Sequence, residues 1–542
     1  MNRKQPQNPT SISRRGFLGS AAALGALATT SSTPSSAQPA EELDVREKSF
    51  TDLQSMMSSG AATSETIVGV YLERIDLLDR GTRGLRSVIE TNPEAIDVAR
   101  ELDRERAAQG PRSPLHGIPI LLKDNIDTAD RMTTTAGSLA LEGSVAPQDS
   151  TVAARLRSAG AVLLGKANLS EWANFRSEGS SSGWSGRGGQ CRNPYVLDRN
   201  PCGSSSGSGA ATSANLTAAA IGTETNGSIV CPSSACGLVG IKPTVGLVSR
   251  AGIIPISVAQ DTAGPMTRTV ADAAALLTVL AGSDPRDPAS EQRQPAVDYS
   301  ESLDKGSLEG RRIALMGGSR GRNRHVDAML DETLEVLEKA GATLVDAEIE
   351  FDRQMNRNSY QAMLYEFKEG LRQYFATLGP NAPVKTLADV IAFNEANAGR
   401  ELPYFDQSIM LAAEEKGPLT DSEYREAREQ ATQAARKGID DAFEKYELDA
   451  ILGPTGGPAW VTDLVGGDHF TGVGSSSPAA ISGYPNITVP GGHAFGLPMG
   501  VSFFGQAWTE PQLIAIAYAF ESLTQKRREP QRLASLDLNA PL

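Results

Sequence analysis

The stretch Ile118-Pro119-Ile120-Leu121-Leu122-Lys123 decides the fold, because five apolar residues run without interruption into a lysine. Ala161-Val162-Leu163-Leu164 is a second run of the same kind, and it leads into Gly165. Continuous apolar runs of this length are typical of strands that are buried on both faces, as in a parallel sheet covered by helices. The two runs therefore predict a central sheet that is shielded from solvent.

Helical periodicity surrounds these runs. Residues 152–159 and 270–281 carry apolar side chains at helical spacing, and strand-like runs return at Ile487-Thr488-Val489 and Val501-Ser502-Phe503-Phe504. An alternation of strand and helix patterns is typical of α/β layering. We therefore expect a single α/β domain over residues 38–542.

The overall composition excludes several classes of function. The chain has 542 residues, of which 40% are hydrophobic and 21% charged, as in a soluble globular protein. Its net charge of -14 argues against a nucleic-acid partner, because phosphate binding needs clustered Lys and Arg. No run of 18 or more apolar residues occurs, so we expect no membrane-spanning helix.

The N-terminus has the pattern of an export signal. Ser13-Arg14-Arg15-Gly16-Phe17-Leu18 is a twin-arginine motif, a small apolar stretch follows, and Ser35-Ser36-Ala37 offers a cleavage site of small residues. We predict a signal peptide over residues 1–37, with the twin-arginine export machinery as a partner. The mature chain would then be periplasmic or extracellular.

The four cysteines lie within 46 residues, at Cys191, Cys202, Cys231 and Cys236. An oxidising compartment permits disulfides, and four cysteines allow three pairings, which the sequence leaves open. Buried free thiols are the alternative. A zinc site is not expected, because the Cys231-x4-Cys236 spacing has no matching second pair.

Metal and nucleotide chemistry find little support. None of the four histidines forms a His-x-x-x-His or Glu-x-x-His pair, so we expect neither a metal nor a cofactor. No Gly-x-Ser-x-Gly elbow appears between a strand and a helix with a late histidine partner, although His469 and His493 stay open as partners of a serine. Residues 160–167 imitate a phosphate loop, but Ala167 follows the lysine where magnesium binding needs Ser or Thr.

Three segments together favour serine chemistry. Lys123 ends an apolar run, and burial there would lower its pKa and make it a base. Gly203-Ser204-Ser205-Ser206-Gly207-Ser208-Gly209 allows close approach of the backbone to a substrate. Gly222-Thr223-Glu224-Thr225-Asn226-Gly227-Ser228-Ile229 suits a tight turn with backbone N–H groups beside a hydroxyl, as an oxyanion hole requires. Taken singly, each residue has a structural alternative, such as a helix cap or a salt bridge.

These segments resemble the amidase signature family. The resemblance implies a catalytic triad of Lys123, Ser204 in a cis peptide bond, and Ser228 as the nucleophile. The 24-residue gap to Ser228 matches the family and selects Ser204 from its neighbours Ser205 and Ser206. It also implies the fold, which is α/β with a large mixed, mostly parallel central sheet covered by helices on both faces. The signature core would span about 110–265, and helical insertions about 320–446.

The resemblance also implies the substrate contacts. The backbone amides of Thr225, Asn226, Gly227 and Ser228 would hold the oxyanion, and Ser205 would help to bind the substrate. Asn226 stands where many members have Gly, which would narrow the site.

The likeness covers roughly residues 48–528 and is strongest to bacterial peptide amidases, which remove the C-terminal amide of peptides. It rests on the whole segment from Ser170-Glu171-Trp172-Ala173-Asn174-Phe175 to Pro201-Cys202-Gly203, and on Leu364-Tyr365-Glu366-Phe367-Lys368 and Ile391-Ala392-Phe393-Asn394. Val230 stands where relatives that act on acidic substrates have Arg, which implies a neutral or apolar acyl group. The expected partner is thus a peptide amide or another small amide.

Several alternatives stay open. Trp172, Phe175 and Trp184 can line a substrate pocket or pack in the core. The chain can also be a general aliphatic or aryl amidase, or the amidase subunit of a tRNA-dependent amidotransferase, which the export motif opposes. A catalytically silent binding protein on the same fold is the last alternative. The sequence does not fix the oligomeric state.

Overall fold

The computed structural model describes residues 43–292 and 297–536 of the chain. Eleven strands within these residues form one sheet. The predicted signal segment 1–37 lies outside these residues. The strands are β1 (Val88–Thr91), β2 (Pro119–Lys123), β3 (Val162–Ala167), β4 (Ala219–Glu224), β5 (Val239–Lys242), β6 (Thr262–Thr267), β7 (Arg312–Leu315), β8 (Thr343–Val345), β9 (Ala450–Pro454), β10 (Asn486–Ala494) and β11 (Leu497–Phe504). Their order across the sheet is β1-β3-β2-β4-β6-β5-β10-β11-β9-β7-β8.

The predicted mixed α/β sheet is confirmed, with parallel pairing confined to two blocks. Strands β3, β2 and β4 pair in parallel near one edge, and β9, β7 and β8 pair in parallel at the other. The pairs that join and flank these blocks are antiparallel. Antiparallel pairing is therefore more extensive than predicted. One reason is that a short connection, Phe495-Gly496, joins β10 to β11, and strands linked this tightly form an antiparallel hairpin.

Helices pack around the sheet. They are α1 (Phe50–Ser59), α2 (Ser64–Leu78), α3 (Ala95–Gln109), α4 (Thr151–Ser158), α5 (Ser206–Ser213), α6 (Val230–Ala235), α7 (Val270–Leu280), α8 (Arg324–Lys339), α9 (Gln354–Thr377), α10 (Leu387–Ala396), α11 (Ala398–Glu401), α12 (Ser408–Glu414), α13 (Ser422–Tyr446), α14 (Ser476–Ser482) and α15 (Glu510–Thr524). The segment predicted to hold helical insertions, about 320–446, contains α8 to α13 and also the edge strand β8. Within the described ranges, no helix has the length and apolar character needed to span a bilayer.

The two apolar runs that predicted the sheet form its interior. Every residue of β2 and β3 is buried, so both faces of these strands are covered. The phosphate-loop lookalike contains the whole of β3, and its Lys166 is buried. The Lys166 ammonium donates to the carbonyl of Ile126 at 2.7 Å and to Thr134 Oγ1 at 2.8 Å. Residues 160–167 are thus part of the core rather than a loop.

A second apolar cluster lies among α9, α10 and α12 and includes Trp172 and Phe175. Beside it, Arg176 forms a buried ion pair with Glu171, 2.8 Å apart, and donates to the backbone carbonyl of Glu401 at 2.5 Å. The Glu401 carboxylate accepts the backbone N–H of Leu139 at 2.6 Å. We call residues 354–414, which contain α9 to α12, the helical segment, and the part of the chain around the central sheet the sheet domain. These contacts connect the helical segment to the sheet domain.

Candidate active site

Lys123 is the last residue of β2, and its side chain is completely buried. Its ammonium nitrogen lies 2.7 Å from Ser204 Oγ, 2.9 Å from Thr223 Oγ1 and 3.3 Å from the Thr223 carbonyl. Strands β2 and β4 are parallel neighbours, so their carboxyl ends place Lys123 beside Thr223. The structure therefore brings together two of the three predicted catalytic residues, Lys123 and Ser204.

Burial changes the protonation of this lysine. Desolvation disfavours the ammonium and lowers the pKa of Lys123 from 10.5 to about 7, although the carboxylates of Asp261 and Glu224 act in the opposite direction. A large fraction of the Lys123 side chains is then neutral near pH 7. A neutral amine 2.7 Å from a hydroxyl can act as a general base.

Ser204 lies on the segment that leads into α5, and the Gly203–Ser204 peptide bond is cis, as the resemblance implies. Its carbonyl accepts the N–H of Ser170 at 3.0 Å. A Cβ atom at Gly203 would stand 2.3 Å from Ser170 Oγ, so this close approach requires glycine. The neighbouring Ser206 donates its hydroxyl to the Cys202 carbonyl at 2.7 Å, and among the three adjacent serines it is Ser204 that reaches Lys123.

The turn between β4 and α6 carries Ser228. Gly227 has a φ of 82°, a left-handed conformation that favours glycine. The Glu224 carboxylate accepts the N–H of Ile229 at 2.7 Å and of Val230 at 3.0 Å, which fixes the chain just after the serine. Ser228 is half-buried, and its hydroxyl forms no hydrogen bond with any residue that the structure describes.

The predicted oxyanion residues are all in this turn. The backbone N–H groups of Asn226, Gly227 and Ser228 have no acceptor within residues 43–292 and 297–536, and the three residues line an open cavity. Thr225 also lines the cavity, and its hydroxyl is held by Asp261 at 2.6 Å. Unpaired N–H groups beside an accessible hydroxyl are the arrangement that stabilises a tetrahedral oxyanion.

Ser205 is not brought to the substrate cavity, contrary to its predicted role in substrate binding. Its side chain is completely buried, donates to the Thr223 carbonyl at 3.0 Å and accepts the Thr223 N–H at 3.2 Å. Its own N–H donates to the Ser228 carbonyl at 3.2 Å. Ser205 therefore links the segment of Ser204 to β4 through its hydroxyl and to the turn of Ser228 through its N–H.

The cavity at Ser228 has a volume of about 470 Å³ and is uncharged. Its walls include residues 173–175, 202–203, 225–228, 455–458 and parts of 470–477, together with Cys231, Ser234, Ala235, Ile256, Met363 and Trp460. Of the described residues that line it, none is Asp, Glu, Lys, Arg or His. Phe175 is part of the wall, whereas Trp172 packs edge-on against Phe375 in the helical cluster and Trp184 packs against Phe405. The cavity thus suits a neutral ligand.

Two of the four cysteines form a disulfide at this cavity. Cys202 precedes the cis peptide bond, Cys231 follows Ser228 by three residues, and the two are joined. Both line the cavity, whereas Cys191 and Cys236 are free and buried. The pairing that the sequence leaves open is therefore Cys202–Cys231, which connects the segments of Ser204 and Ser228.

Comparison with known proteins identifies the family. The sequence profile of the amidase family matches residues 66–514. The chain belongs to the amidase family. A protein of Arabidopsis thaliana described as a probable amidase is 41% identical over 502 residues, which cover 90% of this chain and 92% of that protein. The predicted amidase signature fold and the predicted amide-hydrolysing activity class are both confirmed by these matches.

Two further relatives of this amidase have activities that differ from each other. The crystal structure of the native peptide amidase from Stenotrophomonas maltophilia superposes with a TM-score of 0.86 at 48% identity, and the match covers 91% of this chain and 99% of that one. A glutamyl-tRNA(Gln) amidotransferase subunit of Myxococcus xanthus is 35% identical over 489 residues, which cover 87% of this chain and 96% of that one. The predicted similarity to peptide amidases is confirmed.

Some residues of this amidase site were not assigned from the sequence. Thr223 and Asn125 form a buried network with Lys123, in which Asn125 Nδ2 donates to Thr223 Oγ1 at 3.0 Å. Asp261 holds Thr225 from a distant strand end. The motifs contained Asn125 and Thr223, but no local pattern indicated their contacts with Lys123.

The histidine alternative receives no support from the structure. His469 is exposed and pairs with Asp463 at 3.0 Å, and His493 lies on β10 beside Tyr195. Neither histidine lines the cavity at Ser228. The lysine is therefore the base candidate that the fold places at this site.

Proposed function

We propose that this amidase hydrolyses the C-terminal carboxamide of peptides to a carboxylate and ammonia. The observation that carries the proposal is the buried, hydrogen-bonded pair of Lys123 and Ser204 beside the turn of Ser228. The uncharged cavity supports a neutral acyl group, and the 48% identity to a peptide amidase over 91% of the chain supports a peptide as its source.

The first half of the reaction forms an acyl-enzyme. Neutral Lys123 takes a proton from the Ser204 hydroxyl, and Ser204 takes the proton of the Ser228 hydroxyl. Ser228 Oγ attacks the amide carbonyl carbon, and the C=O electron pair moves to the oxygen. The N–H groups of the turn 225–228 stabilise this oxyanion, and such donors contribute about 3 kcal/mol each to the transition state.

The second half releases both products. Ser204 returns a proton to the amide nitrogen, the C–N bond breaks, and ammonia leaves. Water then attacks the Ser228 ester as its proton passes to Ser204, whose own proton passes to Lys123. The ester C–O bond breaks, Ser204 returns a proton to Ser228 Oγ and takes back the one on Lys123, and the peptide acid leaves and ionises to the carboxylate. The cavity has no cationic side chain among the described residues, so no ion pair opposes departure of the carboxylate product.

A second candidate function is that of an amidotransferase component, which the 35% identity to a glutamyl-tRNA(Gln) amidotransferase subunit supports. That function would require partner subunits, whereas the proposed hydrolysis requires only this chain. Release of ammonia from peptide amides by the isolated protein separates the two. A serine-directed probe that labels Ser228 would exclude a silent binding protein.

The test is a panel of peptide amides, aliphatic amides, aryl amides and fatty amides, with released ammonia or amine as the readout. We expect the highest kcat/KM with peptide amides. Ser228→Ala should remove turnover and keep the fold. The matched Ser205→Ala variant should keep measurable turnover and lose about 1–3 kcal/mol of stability, because buried backbone groups lose their partner. Equal activity of Ser228→Ala and the wild type would refute the assignment of Ser228 as the nucleophile.

Export through the twin-arginine route is part of the proposal and rests on the sequence Ser13-Arg14-Arg15-Gly16-Phe17-Leu18. In a bacterial host that has this route, amidase activity should appear in the periplasm or the medium. The double variant Arg14→Lys with Arg15→Lys should leave the activity in the cytoplasm, as measured by cell fractionation. Unchanged export of that variant would contradict the assignment.

A further inference from the structure

A second cavity of about 490 Å³ adjoins the one at Ser228. The two share Phe470, Val473, Gly474, Ser476 and Ser477, which belong to a strip of chain over residues 470–477. We call this strip the dividing ridge. Because the same residues form a wall of both cavities, the second cavity begins directly behind the wall of the first.

The dividing ridge is in direct contact with the catalytic turn. Ser476 Oγ donates to Asn226 Oδ1 at 2.8 Å, and a Cβ atom at Gly227 would stand 3.2 Å from Ser476 Oγ. An extended peptide advances about 3.3–3.6 Å per residue, so two or three residues suffice to cross a ridge of side-chain width. A peptide held at Ser228 by its C-terminal amide can therefore reach the second cavity with its third or fourth residue.

The crest of the ridge offers an apolar contact to such a peptide. Phe470 is 61% exposed, and its ring lies 4.6 Å from the ring of Trp460, measured between centroids. Trp460 lines the cavity at Ser228, and Phe470 lines both cavities. The paired rings of Phe470 and Trp460 therefore give a ligand that occupies both cavities an apolar surface to pack against.

The second cavity differs from the first in charge. Its lining includes Arg322, Arg353 and Glu350, beside apolar groups such as Met355 and Phe351. Arg322 donates one guanidinium N–H to the Gly472 carbonyl at 2.8 Å. Neither arginine forms an ion pair with a carboxylate in residues 43–292 or 297–536. Two unpaired guanidinium groups outnumber the one carboxylate, so the local charge favours an anionic group.

We propose that the second cavity is a subsite for the peptide residues upstream of the carboxamide, and that Arg322 and Arg353 favour an acidic side chain there. The assignment rests on the proposed function, since it takes the ligand to be a peptide amide. It places selectivity for charge outside the uncharged catalytic cavity, three or four residues from the bond that is cleaved.

The experiment compares peptide amides that share one C-terminal dipeptide amide and carry Asp, Asn or Lys at the third and fourth positions from the amide. The wild type should favour Asp over Lys by about fivefold or more in kcat/KM, mostly through KM. Arg353→Glu should reverse this order. The matched control is Arg357→Glu, which makes the same charge change one turn later on α9 at a residue outside the cavity, and it should keep the wild-type order.

Glu350→Gln is the complementary variant, and it should increase the preference for Asp because it removes the opposing carboxylate. A blocked single-residue amide, too short to cross the ridge, should be hydrolysed equally by all four proteins, which also shows that the variants are folded. Equal rates for Asp and Lys peptides in the wild type would overturn the subsite, as would equal effects of Arg353→Glu and Arg357→Glu. Absence of turnover with every peptide amide, the short one included, would overturn the proposed function and the subsite with it.

Discussion

At the scale of one residue, burial changes the protonation state of Lys123 and so allows it to act as a base. An exposed lysine is protonated at neutral pH and cannot accept a proton, whereas this one has a pKa of about 7. The unfolded chain keeps a pKa of 10.5, so between about pH 7 and 10.5 it binds more protons than the folded state. The contribution of Lys123 to stability therefore rises with pH in that window. Below about pH 7 the buried Lys123 ammonium lowers the stability of the folded state, which is the cost of keeping a base at this position.

The pH profile should report this pKa. Below about pH 7, Lys123 is protonated and has no lone pair for Ser204, so kcat/KM for a peptide amide should fall about tenfold per pH unit. The measurement is kcat/KM from pH 5 to 9 with a substrate that does not titrate there. Lys242→Met is the control, because Lys242 is another of the buried lysines and does not line the cavity. A flat profile down to pH 5 would rule out Lys123 as the base.

At the scale of elements, the parallel neighbours β2 and β4 explain why part of the site was predictable. Parallel strands end at the same edge of a sheet, so the lysine that ends β2 and the turn that follows β4 meet there. The apolar run 118–122 and the Gly-rich turn are local patterns, and each indicated its element. These patterns put Lys123 at a strand end and Ser228 in a turn, and the resemblance to the amidase signature family supplied their catalytic roles.

Other parts of the site depend on contacts between distant segments and have no local pattern. Residues 455–458 and 470–477 wall the cavity from more than 200 residues away in the chain. The resemblance implied that Ser205 binds the substrate, but its side chain bonds to the backbone of Thr223. The cysteine spacing allowed three pairings, and only the fold brings the Cα atoms of Cys202 and Cys231 to 6.0 Å.

The disulfide should stabilise the site that it spans. It closes a loop with a sequence separation of 29 residues, for which the loss of chain entropy in the unfolded state corresponds to about 3.5 kcal/mol. The double variant Cys202→Ser with Cys231→Ser should lose stability on that order and lower kcat, because the segments of Ser204 and Ser228 are no longer joined. Urea unfolding and turnover measure the two effects.

Treatment with a reductant distinguishes the effect of the disulfide from that of the two free cysteines. Dithiothreitol should destabilise the wild type and leave the double variant unchanged. Cys191→Ala, which removes a buried free thiol and keeps the bridge, should respond to reductant like the wild type. A wild-type unfolding curve that is insensitive to reductant would contradict the stabilising role.

At the scale of the whole molecule, the substrate cavity lies where the helical segment meets the sheet domain. Met363 of α9 and Phe175 both line it, and Phe175 packs in the helical cluster. The position of this wall therefore depends on how the helical segment is attached. Arg176 is central to that attachment, because it pairs with Glu171 and also holds the carbonyl of Glu401 on α11.

Arg176→Ala should loosen this attachment and change substrate binding from a distance. Removal of the guanidinium leaves Glu171 and Glu401 buried without their cation, which costs roughly 3–5 kcal/mol in comparable pairs. Denaturant unfolding should show this loss, and KM for a peptide amide should rise more than kcat falls, because the wall moves and the triad does not. Arg400→Ala, an exposed neighbour on α11, should change neither quantity.

The pH dependence of the Arg176→Ala variant identifies the cause of its instability. Desolvation raises the pKa of Glu171 well above its usual range, so an acidic solution protonates this carboxyl in the folded state before it would in the unfolded chain. A neutral carboxyl is less unfavourable to bury than an unpaired carboxylate. The stability gap between Arg176→Ala and the wild type should therefore shrink as the pH falls from 8 to 5. A gap that stays constant over this range would show that Arg176 acts through packing against Phe405 and Trp184 and not through its charge.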